Sequence, residues 1–548
     1  MKKNKLFVGV LFFFIILCCL SILFSYIWKY HAYMQNTTLP DYDGNRHIAI
    51  VSNFIYGLTN LDFSSFDLGK NSINLFSYFY LAFCFLIAGV GNSGFAFAYL
   101  TCMAVIVIFT YLVHGKDFSK ASFSYLGLLI TGIVLSNKGG VYDLRLDIFS
   151  VTACIGSVSF LFQKRIFTSL ILFFIAALFK GAAFFLLAPV LFFSIGYLFF
   201  SKNLDLRKEK SILVKLTLII ILGILFFSLS FWSSVDYNLM GAGGKSTTER
   251  ILLFLQKLKN YFSDYTFYYE EILSRKYSIF IFIGFPFLKI LNLLFFKRRI
   301  MEGFFIESSG FFFYSYIILT ANPLHSNVLT IWLLPSIFLF IVSFTNEFFL
   351  FCKYVFKKKK IFVSIAILCG YIFVINQQRN YLFEKEVSQD AKSIFFQTKS
   401  ISNYIKEESL KSKKIVFLAN FASSENQIPN YSDTYRALVQ KDFSVPQAYI
   451  EADEFVSFDG DYWDVVFWKN YFLYDELFLL LQENPEGTQS NHRVQKIGKF
   501  LFGFFLKQMK NNPSCFTEIV NPIHLSKIGE RKIVRIQKNT LCINTILK

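Results

Sequence analysis

Charge is what this 548-residue sequence has least of. Asp, Glu, Lys and Arg make up 17% of it, beside 54% hydrophobic residues and a mean hydropathy of +0.47, whereas soluble domains carry about 25% charged residues. This composition excludes a water-soluble enzyme. Metal-ligand spacing is missing as well: no Cys-x-x-Cys or His-x-x-x-His pattern argues for a structural metal site. No internal repeat and no low-complexity linker divides the chain. The apolar stretches are nearly free of charge, Glu307 being the main exception. That argues against an ion- or proton-coupled transporter, in which ionisable residues sit in mid-membrane and halves often repeat.

Apolar and aromatic surface is what the chain has in abundance. Phe occurs 72 times and aromatics reach 20%, in runs of about 20 residues separated by short basic clusters, the length that crosses a bilayer as a helix. The pattern predicts a polytopic α-helical membrane protein. Its net charge of +18 then reads as cytoplasmic loop anchors, not as a nucleic-acid surface. Met1-Lys-Lys-Asn-Lys5 precedes an apolar run from Leu6 to Trp28. That run exceeds a signal-peptide core of about 7–15 residues and lacks a small-x-small cleavage site, so it is read as an uncleaved first span with its N-terminus inside. Further spans are expected at about 93–113, 121–136, 146–163, 166–179, 182–200, 212–232, 277–296, 303–320, 324–345 and 361–376. They leave Lys116/Lys120, Lys164-Arg165, Lys202/Arg207/Lys208/Lys210, Lys297-Arg298-Arg299 and Lys357 to Lys360 on one side, the cytoplasm. Segment 72–91 is also apolar, but as a full crossing it would throw every later basic cluster outside. It is placed as a juxtamembrane or re-entrant helix on the outer surface. The expectation is about eleven spans in a bacterial inner (plasma) membrane, with the C-terminus outside.

Residues 1–376 thus form a transmembrane domain with outer loops 29–92, 137–145 and 233–276. Residues 377–548 form an extracytoplasmic soluble domain of α/β or α+β type, large enough for its own core. Strand-like runs at Lys414–Ala419, Trp463–Phe467 and Lys532–Ile536 alternate there with helical patterns such as Tyr474 to Gln482. Cys18, Cys19, Cys84, Cys102, Cys154, Cys352 and Cys369 lie in apolar segments and read as packing residues. Cys515 and Cys542 are the pair in the outer domain, either bonded to each other in an oxidising compartment or two buried thiols. Gly241-Ala-Gly-Gly-Lys-Ser246 resembles a phosphate loop, but Leu239 stands where a glycine is required and no strand precedes it. Arg250 to Phe262 reads as an amphipathic helix on the outer leaflet.

The polar chemistry must then lie on the outer face, where few charges remain. Asp41-Tyr-Asp43-Gly-Asn-Arg46-His47 leads into Ile48–Tyr56, which has helical apolar periodicity. An anion at a helix start is stabilised, which alone is a capping role. Arg145-Leu-Asp147 directly precedes a span, so Asp147 lies at or just inside the interface, where an isolated carboxylate is costly; a function or an ion pair with Arg145 accounts for it. Lys180-Gly181 joins two short apolar runs, and its cation either binds a phosphate at membrane depth or snorkels.

Over about residues 1–345 this order of features resembles the GT-C superfamily of polyprenyl-phosphate-sugar glycosyltransferases, the group of the protein O-mannosyltransferases and lipid A aminoarabinose transferases. Asp43-Gly-Asn-Arg-His47 resembles the Asp-Glu-x-x-Tyr type motif of the first outer loop, and Arg145-Leu-Asp147 the Arg-Pro-Asp motif opening a later span. Phe179-Lys-Gly-Ala182, followed by Pro189, resembles the Thr-Lys-Gly-Pro turn. Asn260 to Glu271 resembles the aromatic and acidic loop, and His325 to Pro335 the late Arg-Tyr-Leu-Leu-Pro span. Gly44, Leu146 and His325 depart from the family pattern, so its metal use and acceptor class do not transfer, and the sequence requires no metal. The resemblance implies an inverting hexosyl- or pentosyltransferase that takes a sugar from a polyprenyl phosphate to a lipid, glycan or protein acceptor on the outer face. It also implies Asp43 as base, Lys180 and Arg145 or Arg46 as phosphate clamp, Asp147 as a second carboxylate orienting the clamp or the acceptor, and His325 as a substrate contact. A lipid or glycan flippase, or an envelope assembly protein centred on the tail, are the other readings.

Overall fold

The computed structural model describes residues 2–37, 42–61, 74–135, 140–142, 144–163, 165–181, 183, 290, 330–355, 360–384, 389–408, 410, 415–419, 450–451, 475–484, 492–525, 529–537, 539 and 541–542. The expected spans 182–200, 212–232, 277–296 and 303–320, with Glu307, lie almost entirely outside them. So do the loop 233–276 with its glycine-rich and amphipathic stretches, Pro189, the run Trp463–Phe467, and His325. The helices are α1 (Lys2–Thr37), α2 (Tyr42–Asn60), α3 (Leu75–Ala88), α4 (Asn92–Val113), α5 (Phe118–Ile130), α6 (Asp147–Phe162), α7 (Ile166–Phe179), α8 (Leu334–Val355), α9 (Lys360–Glu384), α10 (Gln389–Glu407) and α11 (His492–Asn511). Among the described residues, Ile15–Tyr33, Asn92–Val113 and Leu334–Cys352 are long and apolar enough to cross a membrane, and α3, α6 and α7 are shorter apolar helices.

Two compact units emerge, residues 1–30, 68–80 and 96–384 in one and 31–67, 81–95 and 385–548 in the other. In the first, α6 and α7 form a tight hairpin. Small hydroxyl residues on α6 let α7 approach and bond its carbonyls: Ser157 Oγ donates to Ser169 O at 2.8 Å, and Ser150 Oγ to Ala176 O at 2.7 Å. Gly156 of α6 lies against the Phe109 ring of α4, which fills the space a Cβ would take. Phe123 of α5 stacks on Phe348 of α8 at 4.8 Å between centroids, and Tyr371 of α9 donates to Ser122 O.

A polar knot ties α4, α5 and α8 at one end. His114, just beyond α4, shares a 2.7 Å hydrogen bond with Ser124 Oγ, which contacts Thr345 Oγ1 at 2.7 Å, while Lys120 Nζ donates to Asn346 Oδ1. Burial, and then the Lys120 charge, pull the His114 imidazole down to about 3.

Helix limits differ from the sequence expectation in two places with a clear cause. Of the expected span 324–345, the described part is a 3-10 turn at Thr330–Leu333 and a helix that starts at Leu334 and runs on to Val355. Pro335 is the reason, since a residue without an N–H that clashes with the preceding turn fits only the start of a helix. The expected span 121–136 ends at Ile130, where Thr131 caps the helix and Gly132 turns left-handed at φ +70°. At the far end, α9 continues through 376 to Glu384, and the boundary between the units falls there.

The second unit is built on a mixed sheet of β1 (Ile415–Ala419), β2 (Ile450–Glu451), β3 (Glu476–Gln482), β4 (Phe516–Glu518), β5 (Ile523–Leu525) and β6 (Gly529–Ile536). The strand order is β2-β1-β3-β6-β4, with β5 also on β6; β1 pairs parallel with β2 and β3, and the pairs to β6 are antiparallel. Register places Leu479 opposite Val534. Of the stretch Tyr474 to Gln482, expected as helical, Glu476–Gln482 is strand β3. Its side chains serve two cores: Phe478 and Leu480 pack with Ile401 and Ile405 of α10, and Leu477, Leu479 and Leu481 with Leu501, Phe502 and Phe505 of α11. A strand covered on both faces is apolar at every position, and periodicity cannot separate it from a buried helix. Arg535 bridges Glu476 at 2.7 Å and donates to Tyr404 OH at 3.1 Å. Cys515 and Cys542 form a disulfide within the α11-side core.

Candidate functional site

The α6–α7 hairpin brings the start of one helix beside the end of the other. Asp147 is the first residue of α6 and Lys180 caps α7. An anion at a helix N-terminus and a cation at a C-terminus are each favoured by the helix dipole, so both helices stabilise the pair they carry. Lys180 Nζ meets Asp147 Oδ2 at 2.9 Å. The second carboxylate oxygen accepts from Trp332 Nε1 at 2.9 Å. Trp332 comes from the 3-10 turn before α8, so three distant segments of the chain meet at one carboxylate.

Exposure divides the roles. Asp147 is 1% exposed, whereas the Lys180 side chain retains 27% of its accessible surface. Aromatic rings build the wall beside the pair. Phe149 of α6 contacts Tyr80, Tyr99 and Phe179 with centroids 5.0, 5.8 and 6.4 Å apart, and Phe179 contacts Phe76 at 6.3 Å. Backbone groups around it are satisfied by side chains: Tyr99 OH donates to Arg145 O at 3.0 Å and Ser77 Oγ to Phe179 O at 2.7 Å. A rigid, largely apolar wall of this kind strengthens the ion pair and leaves one ammonium accessible.

Of the residues singled out from sequence, the structure joins Asp147 and Lys180, with Arg145 two residues before Asp147 in the chain. The ion pair of Asp147 is thus to Lys180, one member of the clamp it is expected to orient, and not the pair with Arg145 that the sequence also offers. Asp43 and Arg46 lie near the N-terminal end of α2, and their side chains fall outside the described residues, as does His325. Trp332 was not singled out, although it stands within the late motif His325–Pro335. A tryptophan in an apolar run reads as packing; the signal for it is that a buried indole N–H needs an acceptor. Among the described residues no group of His, Cys, Asp and Glu side chains is arranged to hold a metal ion.

No family model matches the chain, and no curated protein matches it. Among solved structures, it is similar to ArnT from Cupriavidus metallidurans bound to undecaprenyl phosphate, with a TM-score of 0.47 and 11% identity over 96% of this chain and 98% of that one. The apo state of ArnT gives a TM-score of 0.47 and 11% identity over 98% of this chain and 99% of that one.

Proposed function

We propose that this protein is a membrane glycosyltransferase that moves a sugar from a polyprenyl-phosphate donor to an acceptor on the extracytoplasmic face. The observation that carries the reading is the buried Asp147 holding a part-exposed Lys180 through one oxygen and Trp332 through the other. In this reading Lys180 is the cation for the donor phosphate, with Arg145 and Arg46 as further members of the clamp and His325 as a substrate contact. Asp147 is a positioning residue: with both oxygens engaged and 1% exposure, it orients Lys180 and is not the base. Asp43 takes the base role. The acceptor oxygen attacks the anomeric carbon as the bond to the phosphate oxygen breaks, Asp43 receives the acceptor proton, and the clamp stabilises the departing phosphate. The attack comes from the opposite side to the leaving group, so the anomeric configuration inverts.

Labelled polyprenyl-phosphate sugar supplied to membranes containing the protein tests it. Consumption of the label by wild type and its loss in Asp43→Asn and Lys180→Met, at equal expression, is the expected result. Near-normal turnover of Asp43→Asn would sink the assignment of the base, and no transfer to any extracted lipid, glycan or protein by wild type would sink the enzyme reading.

A further inference from the structure

The outer surface of α11 is unlike that of a helix that only faces water. Its sequence carries Arg493, Lys496, Lys499, Lys507 and Lys510 and no Asp or Glu. One side packs Leu501, Phe502 and Phe505 into the core of its own unit. On the opposite side Lys499, Phe500, Gly503, Lys507 and Lys510 are all exposed, at spacings that keep them on one face. Phe500 is 69% exposed, its ring stacks on Phe504 at 6.4 Å between centroids, and Gly503 has open space above it. Leu541, 81% exposed, stands next to Cys542, which the disulfide holds in the same layer of the unit.

Surface helices of soluble domains mix both signs and keep large rings inward. Single-sign lysines flanking an exposed phenylalanine are the chemistry of a helix lying in a membrane interface, with the ring at the level of the acyl boundary and the ammonium groups among anionic headgroups. We infer that α11 docks on an anionic phospholipid surface and holds its unit down on the bilayer. Self-association through this face is disfavoured, because a two-fold contact would set like charge against like charge. An acidic glycan would satisfy the lysines and leave the Phe500 ring in water. Since α9 leads through α10 into the same chain segment, docking is intramolecular once the spans are inserted, and modest affinity suffices.

The full-length protein with Phe500→p-benzoyl-phenylalanine, reconstituted in phosphatidylcholine vesicles with or without phosphatidylglycerol and irradiated, tests this. Mass spectrometry of the peptide carrying position 500 reads the adduct. Lipid adducts should be several-fold more abundant with phosphatidylglycerol present, and should fall to the phosphatidylcholine level when Lys499→Ser, Lys507→Ser and Lys510→Ser are combined. These positions are exposed, and an intact Cys515–Cys542 disulfide in the variant verifies that the unit has folded. Adducts to a second protein copy, adducts independent of lipid charge, or lipid adducts from p-benzoyl-phenylalanine placed instead at Phe396 of α10 with none from position 500 would each overturn the inference.

Discussion

Replacing Lys180 by methionine isolates the electrostatics of the site. The substitution keeps most of the side-chain volume and removes the cation 2.9 Å from a carboxylate that is 1% exposed. Asp147 then keeps the Trp332 N–H and loses its charge partner. Removing one member of a buried pair costs about 3–5 kcal/mol, and the part-exposed Lys180 places this case near the lower end, about 3 kcal/mol. Asp147→Asn is milder, about 1–3 kcal/mol, because the amide oxygen still accepts from Trp332 and the ammonium can turn to solvent. Combined, the two substitutions leave an asparagine bonded to Trp332 and no buried charge. The double variant should therefore be more stable than Lys180→Met alone, with a coupling of about 2 kcal/mol. Denaturation midpoints of the full-length protein in one detergent give all four corners of the cycle. Two results refute the reasoning: Lys180→Met within about 0.5 kcal/mol of wild type, or a double variant destabilised by the simple sum of the singles.

Trp332→Phe keeps the ring and removes the donor to Asp147, so it should cost about 1.5–3 kcal/mol, the loss of a hydrogen bond to a charged group, with unchanged stability in the same titration counting against it. Gly156→Ala places a Cβ into the Phe109 ring and should destabilise the α4–α6 contact by about 1–3 kcal/mol, measurable as a lowered denaturation midpoint. His114, lowered to about 3, has a folded-state affinity for protons below that of the unfolded chain. Its contribution is full above about pH 6.5 and is lost as pH falls toward 3, at up to about 1.4 kcal/mol per pH unit; His114→Gln should flatten stability against pH in that window. Converting Cys515 and Cys542 both to alanine opens a crosslink spanning 27 residues and should cost the second unit about 3–4 kcal/mol, read by hydrogen exchange of β6.

The parts legible in sequence were those with local causes. Basic clusters marked helix ends, Asp147 announced itself as a carboxylate where one is costly, and the Lys532–Ile536 run appeared as part of β6. What escaped depended on partners far along the chain. β3 reads as helix because sheet and helices cover both its faces, a fact that lies in α10 and α11 and not in Glu476–Gln482 itself. Asp147 is legible as a carboxylate that orients nearby cations, but which cation it holds is not: Lys180 stands 33 residues away, and their direct pairing requires α6 and α7 to run antiparallel with matched lengths. Trp332 requires in addition that Pro335 displace the start of α8, which leaves the indole on a short turn and not on the side of a long helix.

Those matched lengths also bear on where the pair sits. The α6 and α7 helices have 16 and 14 residues, hence about 24 and 21 Å at 1.5 Å per residue, against a hydrocarbon core of about 30 Å. Arg165 and Lys180 mark opposite ends of α7, so a hairpin of this length anchored at Arg165 leaves Lys180 several ångströms inside the far interface. A cation left there without a partner would be expelled toward the headgroups. Asp147 and Trp332 supply the reason it stays, and the price of burying that carboxylate is met by the two helix dipoles and the ammonium together. A lysine held below an interface, beside a wall of rings, suits a phosphate whose chain is itself in the bilayer better than one arriving from water. The shortness of the hairpin and the burial of Asp147 therefore belong to one arrangement, in which neither feature is useful without the other.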